Sequence, residues 1–113
     1  MAWFRVHVLM QAGSSADGAK PVQARELEYA VAAMDAMEAE DKAETLATRE
    51  NTAWRCLGSA RTVKFSNSAQ PLNDVEDGEQ LSAQRLEFAD EGALRRYLVG
   101  QARPTRILPD TRP

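Results

Sequence analysis

Apolar and polar positions alternate near the start of the chain, with Phe4, Val6 and Val8 on one side and Trp3, Arg5 and His7 on the other. Aromatic and β-branched residues dominate there, which predicts a strand over 3–10. Period two returns at Leu27, Tyr29, Val31 and Ala33, set between Glu26, Glu28, Ala30 and Ala32. Further on, Ala39, Ala43, Leu46 and Ala47 recur at helical spacing, while Glu38, Glu40, Asp41, Lys42 and Glu44 fall on the rest of the surface. Glu38 and Lys42 form a favourable i,i+4 pair worth ~0.3 kcal/mol. Propensity alone makes residues 26–50 a single helix, because Ala, Glu, Met and Leu dominate and Gly and Pro are absent. Periodicity instead places a strand before a helix, with Asp35 at the switch. A strand over 26–34 also supplies an antiparallel partner for 3–10 across the small, polar, glycine-bearing loop 11–22.

Downstream, "NTAWRCLGSARTVKF" reads as a strand bent or bulged near Gly58, or as two short strands. Residues 66–80 are turn-rich, and Asp77-Gly78 is a tight-turn dipeptide. In "LSAQRLEFAD", Leu81 and Ala83 share one parity and Leu86 and Phe88 the other. Two explanations stand: a bulge near Gln84, or a sheet with apolar material on each side. Asp90 has the character of a helix N-cap, Ala93, Leu94, Tyr97 and Leu98 form an apolar stripe, and Gly100 stands at the C-terminal cap. The tail "QARPTRILPDTRP" holds three prolines and is expected to be extended or disordered unless Ile107 and Leu108 pack on the body. The pattern therefore predicts an α+β domain over 1–100 and an Arg/Pro tail over 101–113. Its antiparallel sheet has about four strands and carries helices over 37–49 and 91–99. The expected core is Phe4, Val6, Val8, Tyr29, Val31, Leu46, Trp54, Val63, Phe88, Leu94 and Leu98.

The order of these features resembles a bacterial family, the domain of unknown function 4288. The likeness rests on the Trp3, Phe4, Val6 strand, the acidic opening Glu26-Leu27-Glu28, and the Ala-Glu helix from Glu38 to Leu46. It continues in "WRCLG" (Trp54 to Gly58) and "DGEQLSAQRL" (Asp77 to Leu86). It spans roughly residues 3–98 and departs from the family in Ala30, Ala32 and Ala33, where bulkier strand residues are usual. The resemblance implies an α+β fold in the order ββαββα. It implies no activity, since none is established for the family.

Composition sets the outer bounds. A chain of 113 residues makes one domain, and one of this length buries ~60–70% of the surface it exposes when unfolded. Cys56 is the single cysteine, so the chain can form neither an internal disulfide nor a cysteine metal cluster. The N-terminus lacks the basic region and long apolar run of a signal peptide. No apolar stretch reaches the ~20 residues of a membrane helix, and the reading is a cytoplasmic protein. The net charge is −3, unevenly placed: residues 94–113 carry +4, leaving −7 on the other 93. The five arginines of that segment have a single aromatic, Tyr97, among them, which weighs against nucleic acid as a partner.

No residue pattern specifies catalysis. His7 is the single histidine, so a two-histidine metal site is excluded, and a Cys56–His7 nucleophile pair is outweighed by packing roles on two strands. The acidic run 73–79 fails as a calcium loop because Val75 occupies a ligand position. No phosphate-binding glycine loop, H-E-x-x-H or G-x-S-x-G occurs, and no cofactor is implied. Two functional readings follow. The first is a non-catalytic protein-binding module of adaptor or immunity type, with Glu38, Asp41, Glu44, Arg95, Arg96, Arg103 and Arg106 as candidate partner-binding residues. In this reading a sheet edge is open to strand addition or to a homodimer. The second is a small enzyme or ligand-binding domain whose site is built from scattered strand residues such as Arg55, Arg61, Arg85 and Glu87.

Overall fold

The computed structural model describes residues 1–12, 22–66 and 75–109. Along the chain run β1 (Ala2–Ala12), β2 (Val22–Ala33), α1 (Ala36–Glu50), β3 (Trp54–Ser66), β4 (Glu79–Phe88), α2 (Glu91–Leu98) and β5 (Arg106–Pro109). The strands form one antiparallel sheet in the order β3-β1-β2-β4-β5. Among the described residues no helix is long and apolar enough to cross a membrane.

The switch from period two to period 3.6 is real. Tyr29 pairs with Val6 and Val31 with Phe4, so both face one side of the sheet, opposite β1 residues of the same parity. Asp35 then caps α1: its side chain accepts from Glu38 N at 2.8 Å, and the Glu38 carboxylate reaches back to Met34 N at 3.3 Å. β2 and α1 pack against each other through Ala33, Ala39, Ala43 and Ala47, all fully buried. Of the three alanines that look out of place in this strand, Ala33 is part of the small surface on which the helix rests, whereas Ala30 and Ala32 have the opposite parity.

Among the described residues there are five strands where the sequence predicts about four. The additional strand, β5, comes from the tail. Arg106 pairs with Glu87, Ile107 with Leu86 and Leu108 with Arg85. Thr105 secures its start, its backbone N–H and its hydroxyl both donating to Glu87 O, at 2.7 and 3.0 Å. A four-residue strand is too short to announce itself by alternation. The expected loop over 11–22 has Gln11, Ala12 and Val22 inside the strands, and 13–21 lie outside the described residues. So do 67–74 of the expected turn region.

The mixed parity of β4 is resolved in favour of two apolar faces. The β2–β4 ladder is regular through Gln84, and its irregularity falls at Leu81, between the Glu28–Ser82 and Tyr29–Gln80 pairs. One face joins Phe4, Val6, Val8, Met10, Leu27, Tyr29 and Val31 to α1. The other joins Leu9, Val22, Ala24, Leu86 and Phe88 to Ala93 and Leu94 of α2. Of the expected core, Leu46, Trp54, Val63 and Leu98 are only partly buried. α2 begins at Asp90, whose side chain accepts from Ala93 N at 2.8 Å. It ends at Gly100, at φ +78°, where Gln101 N returns to Arg96 O at 2.7 Å and Gly100 N to Tyr97 O at 3.0 Å.

Candidate functional site

The short helix α2 covers only one end of its side of the sheet. Beside its C-terminal end lies an open cleft of about 550 Å³, lined by His7, Glu26, Arg61, Gln84 and Tyr97. Register builds it. His7 pairs with Arg61 on β3 and with Glu28 on β2, and Glu28 pairs with Ser82 on β4. These four residues form one row across the sheet. Leu9, Glu26 and Gln84 form the next row.

Glu26 is the centre of the site and is buried at 7% exposure. Its Oε1 accepts from the Tyr97 hydroxyl at 2.6 Å and its Oε2 from the Gln84 amide at 2.8 Å. The His7 ring lies between two carboxylates, with Nε2 3.1 Å from Glu28 Oε2 and Nδ1 3.8 Å from Glu26 Oε2. Ser82 donates to the other oxygen of Glu28 at 3.1 Å. Burial pushes the Glu26 carboxyl up, but the contact with His7 and the hydrogen bonds from Tyr97 and Gln84 outweigh it. The net effect is a pKa below the ordinary 4.5. Tyr97 moves the other way: burial and the Glu26 carboxylate together raise its phenol well above its ordinary value. The pair is therefore a fixed carboxylate and a fixed phenol, which anchors α2 to the sheet. No described buried side-chain nitrogen or oxygen lacks a partner.

Arg61 is different. It is exposed on the rim of the cleft and makes no hydrogen bond or salt bridge among the described residues, though its charge opposes the rise of the Tyr97 phenol. Arg5 stands diagonal to it on the same face and lies over the Phe65 ring, 5.5 Å from its centroid. Of the other scattered strand residues, Arg55 donates to Gln11 at 2.9 Å. Arg85 and Glu87 pair with Arg25 and Gln23 on the α1 side of the sheet, away from the cleft.

The fold separates the candidate partner-binding residues by charge. Glu38, Asp41 and Glu44 lie on α1, against one face of the sheet. Two carboxylates of that helix turn inward to β3: Ser59 donates to Glu44 at 2.7 Å, and Thr62 to Glu40 at 2.6 Å. Arg95 and Arg96 are exposed on α2 across the sheet, Arg95 in an i,i+4 pair with Glu91 at 3.2 Å. Arg103 is exposed before β5, and Arg106 is exposed at its start. Cys56 faces the α1 side, and burial is the main cause that raises its thiol pKa. It thus lies on the opposite face from His7, and the two do not form a pair.

Sequence reasoning missed Glu26, Gln84 and Tyr97 as members of one site. Alternation places Glu26 on the same face as His7 once 26–34 pairs with 3–10, but the register is not encoded in the alternation. Among the described residues no group of three or more His, Cys, Asp or Glu side chains is placed to hold a metal. Set against models of known families, curated proteins and solved structures, the chain finds no match.

Proposed function

We propose that the chain is a non-catalytic protein-binding module of the bacterial cytoplasm that engages its partner through the open side of the sheet, around β3 and the cleft. The observation that carries this reading is Arg61, an exposed guanidinium that makes no hydrogen bond or salt bridge among the described residues, beside a network in which no described buried side-chain nitrogen or oxygen lacks a partner. A general acid or base needs a titratable group that is free to exchange a proton with substrate. Here the Glu26 carboxylate is occupied by Tyr97 and Gln84, and Tyr97 holds its proton tightly. The network positions α2 and the rim, while Arg61 remains open to contact.

A photo-cross-linking residue in place of Phe65, which is 36% exposed, tests the reading against the same residue in place of Met37, which is 72% exposed at the start of α1. In its native cells the protein is expected to form one discrete adduct from position 65 and none from 37, and Arg61→Glu is expected to abolish it. Equal labelling from both positions, or none from 65, overturns the reading.

The cleft also favours a second reading, a small-ligand site, because five polar side chains converge on about 550 Å³. A bound small molecule retained in native mass spectrometry and lost in Arg61→Ala would select it.

A further inference from the structure

We propose that β3 takes an extended acidic segment of a partner protein as a sixth strand, its carboxylates meeting Arg61 and Lys64. This deepens the protein-binding reading and rests on it.

β3 stands last in the strand order and pairs with β1 alone among the described residues. None of its residues is fully buried. An edge of this length is a template for another strand, and proteins restrict such edges with bulges and charge. Three register shifts interrupt β3, leaving Leu57, Ala60 and Phe65 as extra residues. Between the last two, Arg61, Thr62, Val63 and Lys64 run in unbroken register against His7, Val6, Arg5 and Phe4. The edge is thus reduced to a single regular segment long enough to be read.

That segment is basic. β3 contains Arg55, Arg61 and Lys64 and no carboxylate, in a chain whose net charge is −3. Arg55 is engaged with Gln11. Among the described residues Arg61 makes no hydrogen bond or salt bridge, and Lys64 makes only a loose approach to the Phe4 ring, 5.9 Å from its centroid. Arg61 faces the α2 side with Val63, and Lys64 faces the α1 side with Thr62, whose hydroxyl is already committed to Glu40. Alternation then dictates the partner's sequence. Two acidic residues must stand three apart, with an apolar residue opposite Val63: acid-x-apolar-acid in parallel addition, acid-apolar-x-acid in antiparallel.

A second copy of this chain is a poor occupant. Antiparallel pairing of two β3 segments centred on Thr62 and Val63 sets Arg61 of each copy against Lys64 of the other, and like charges placed opposite repel. An acidic strand has the complementary charge.

The test uses the full ¹⁵N-labelled chain and a capped eight-residue peptide with the core glutamate, valine, valine, glutamate, which satisfies both directions. The amide signals of 61–64 are expected to shift on titration. A peptide with lysines at the two glutamate positions is expected to bind at least tenfold more weakly. A peptide N-methylated at both valines, which cannot complete the ladder, is expected to bind at least tenfold more weakly too. Arg61→Ala combined with Lys64→Ala changes two exposed side chains and should remove the preference for glutamate while leaving the spectrum of the fold intact. Equal binding of the lysine or N-methylated peptide, shifts centred on β5 or α1, or light scattering that shows a dimer closed over β3 overturns the proposal. If the adduct at position 65 persists when the peptides fail, strand addition falls and the protein-binding reading stands. If the adduct is absent as well, both fall.

Discussion

Tyr97→Phe removes one oxygen and leaves nearly everything else in place. The ring keeps its packing on Phe88, 5.3 Å between centroids, and α2 keeps Ala93 and Leu94 in the core. What is lost is the 2.6 Å hydrogen bond to Glu26. A bond to a charged acceptor contributes about 1.5–3 kcal/mol, and a buried oxygen left without a donor bears the desolvation cost. Glu26 Oε2 retains Gln84 at 2.8 Å, so the carboxylate is not orphaned and the loss should fall near the middle of that range, ~2 kcal/mol. For urea slopes typical of small proteins this moves the unfolding midpoint down by about 1 M with the slope unchanged. Fluorescence of Trp3 and Trp54 follows the transition. The decisive comparison repeats the substitution in a Glu26→Gln background, where the acceptor is an uncharged amide oxygen and the further loss should drop to about 1 kcal/mol or less. A midpoint shift under about 0.3 M in the parent, or equal losses in both backgrounds, refutes the view that this bond anchors α2.

Acid should expose the same network. The Glu26 pKa lies below its ordinary 4.5 in the folded chain, so the unfolded chain binds more protons in the window between. The stabilisation is complete above the ordinary value and is lost as pH falls through the folded one. Wild type should therefore lose more stability than Glu26→Gln between about pH 5 and about pH 3, and parallel urea midpoints in that range would contradict it. Two turn glycines offer a contrast. Gly100, at φ +78°, has open space around an added Cβ, whereas at Gly78, φ +91°, a Cβ would lie 3.2 Å from Leu46 Cδ1. Gly100→Ala should cost about 1 kcal/mol from backbone strain alone and Gly78→Ala more, read as the difference between their urea midpoints.

Local chemistry in the sequence determined a good deal. The change of period at Asp35, the side-chain cap there and at Asp90, the glycine at the end of α2 and the irregularity around Gly58 all act within a few residues. They are legible without tertiary knowledge because propensity, capping and alternation are short-range effects. The alternation of Tyr29 with Val31 even assigned their common face. The same signals left β5 open between an extended and a disordered tail, since four residues ending on a proline carry no period, and they left the parity of β4 open until helices were seen on both faces. The candidate site lay further out of reach. Tyr97 and Glu26 are 71 positions apart and Gln84 and Glu26 are 58 apart. Their meeting depends on the register of β2 against β4 and on where α2 crosses the sheet. Sequence made Arg61 and Lys64 basic and placed them on a strand. Only the strand order β3-β1-β2-β4-β5 put that strand at an edge, because which strand is left unpaired is decided by the assembly of the whole sheet and not by any segment within it.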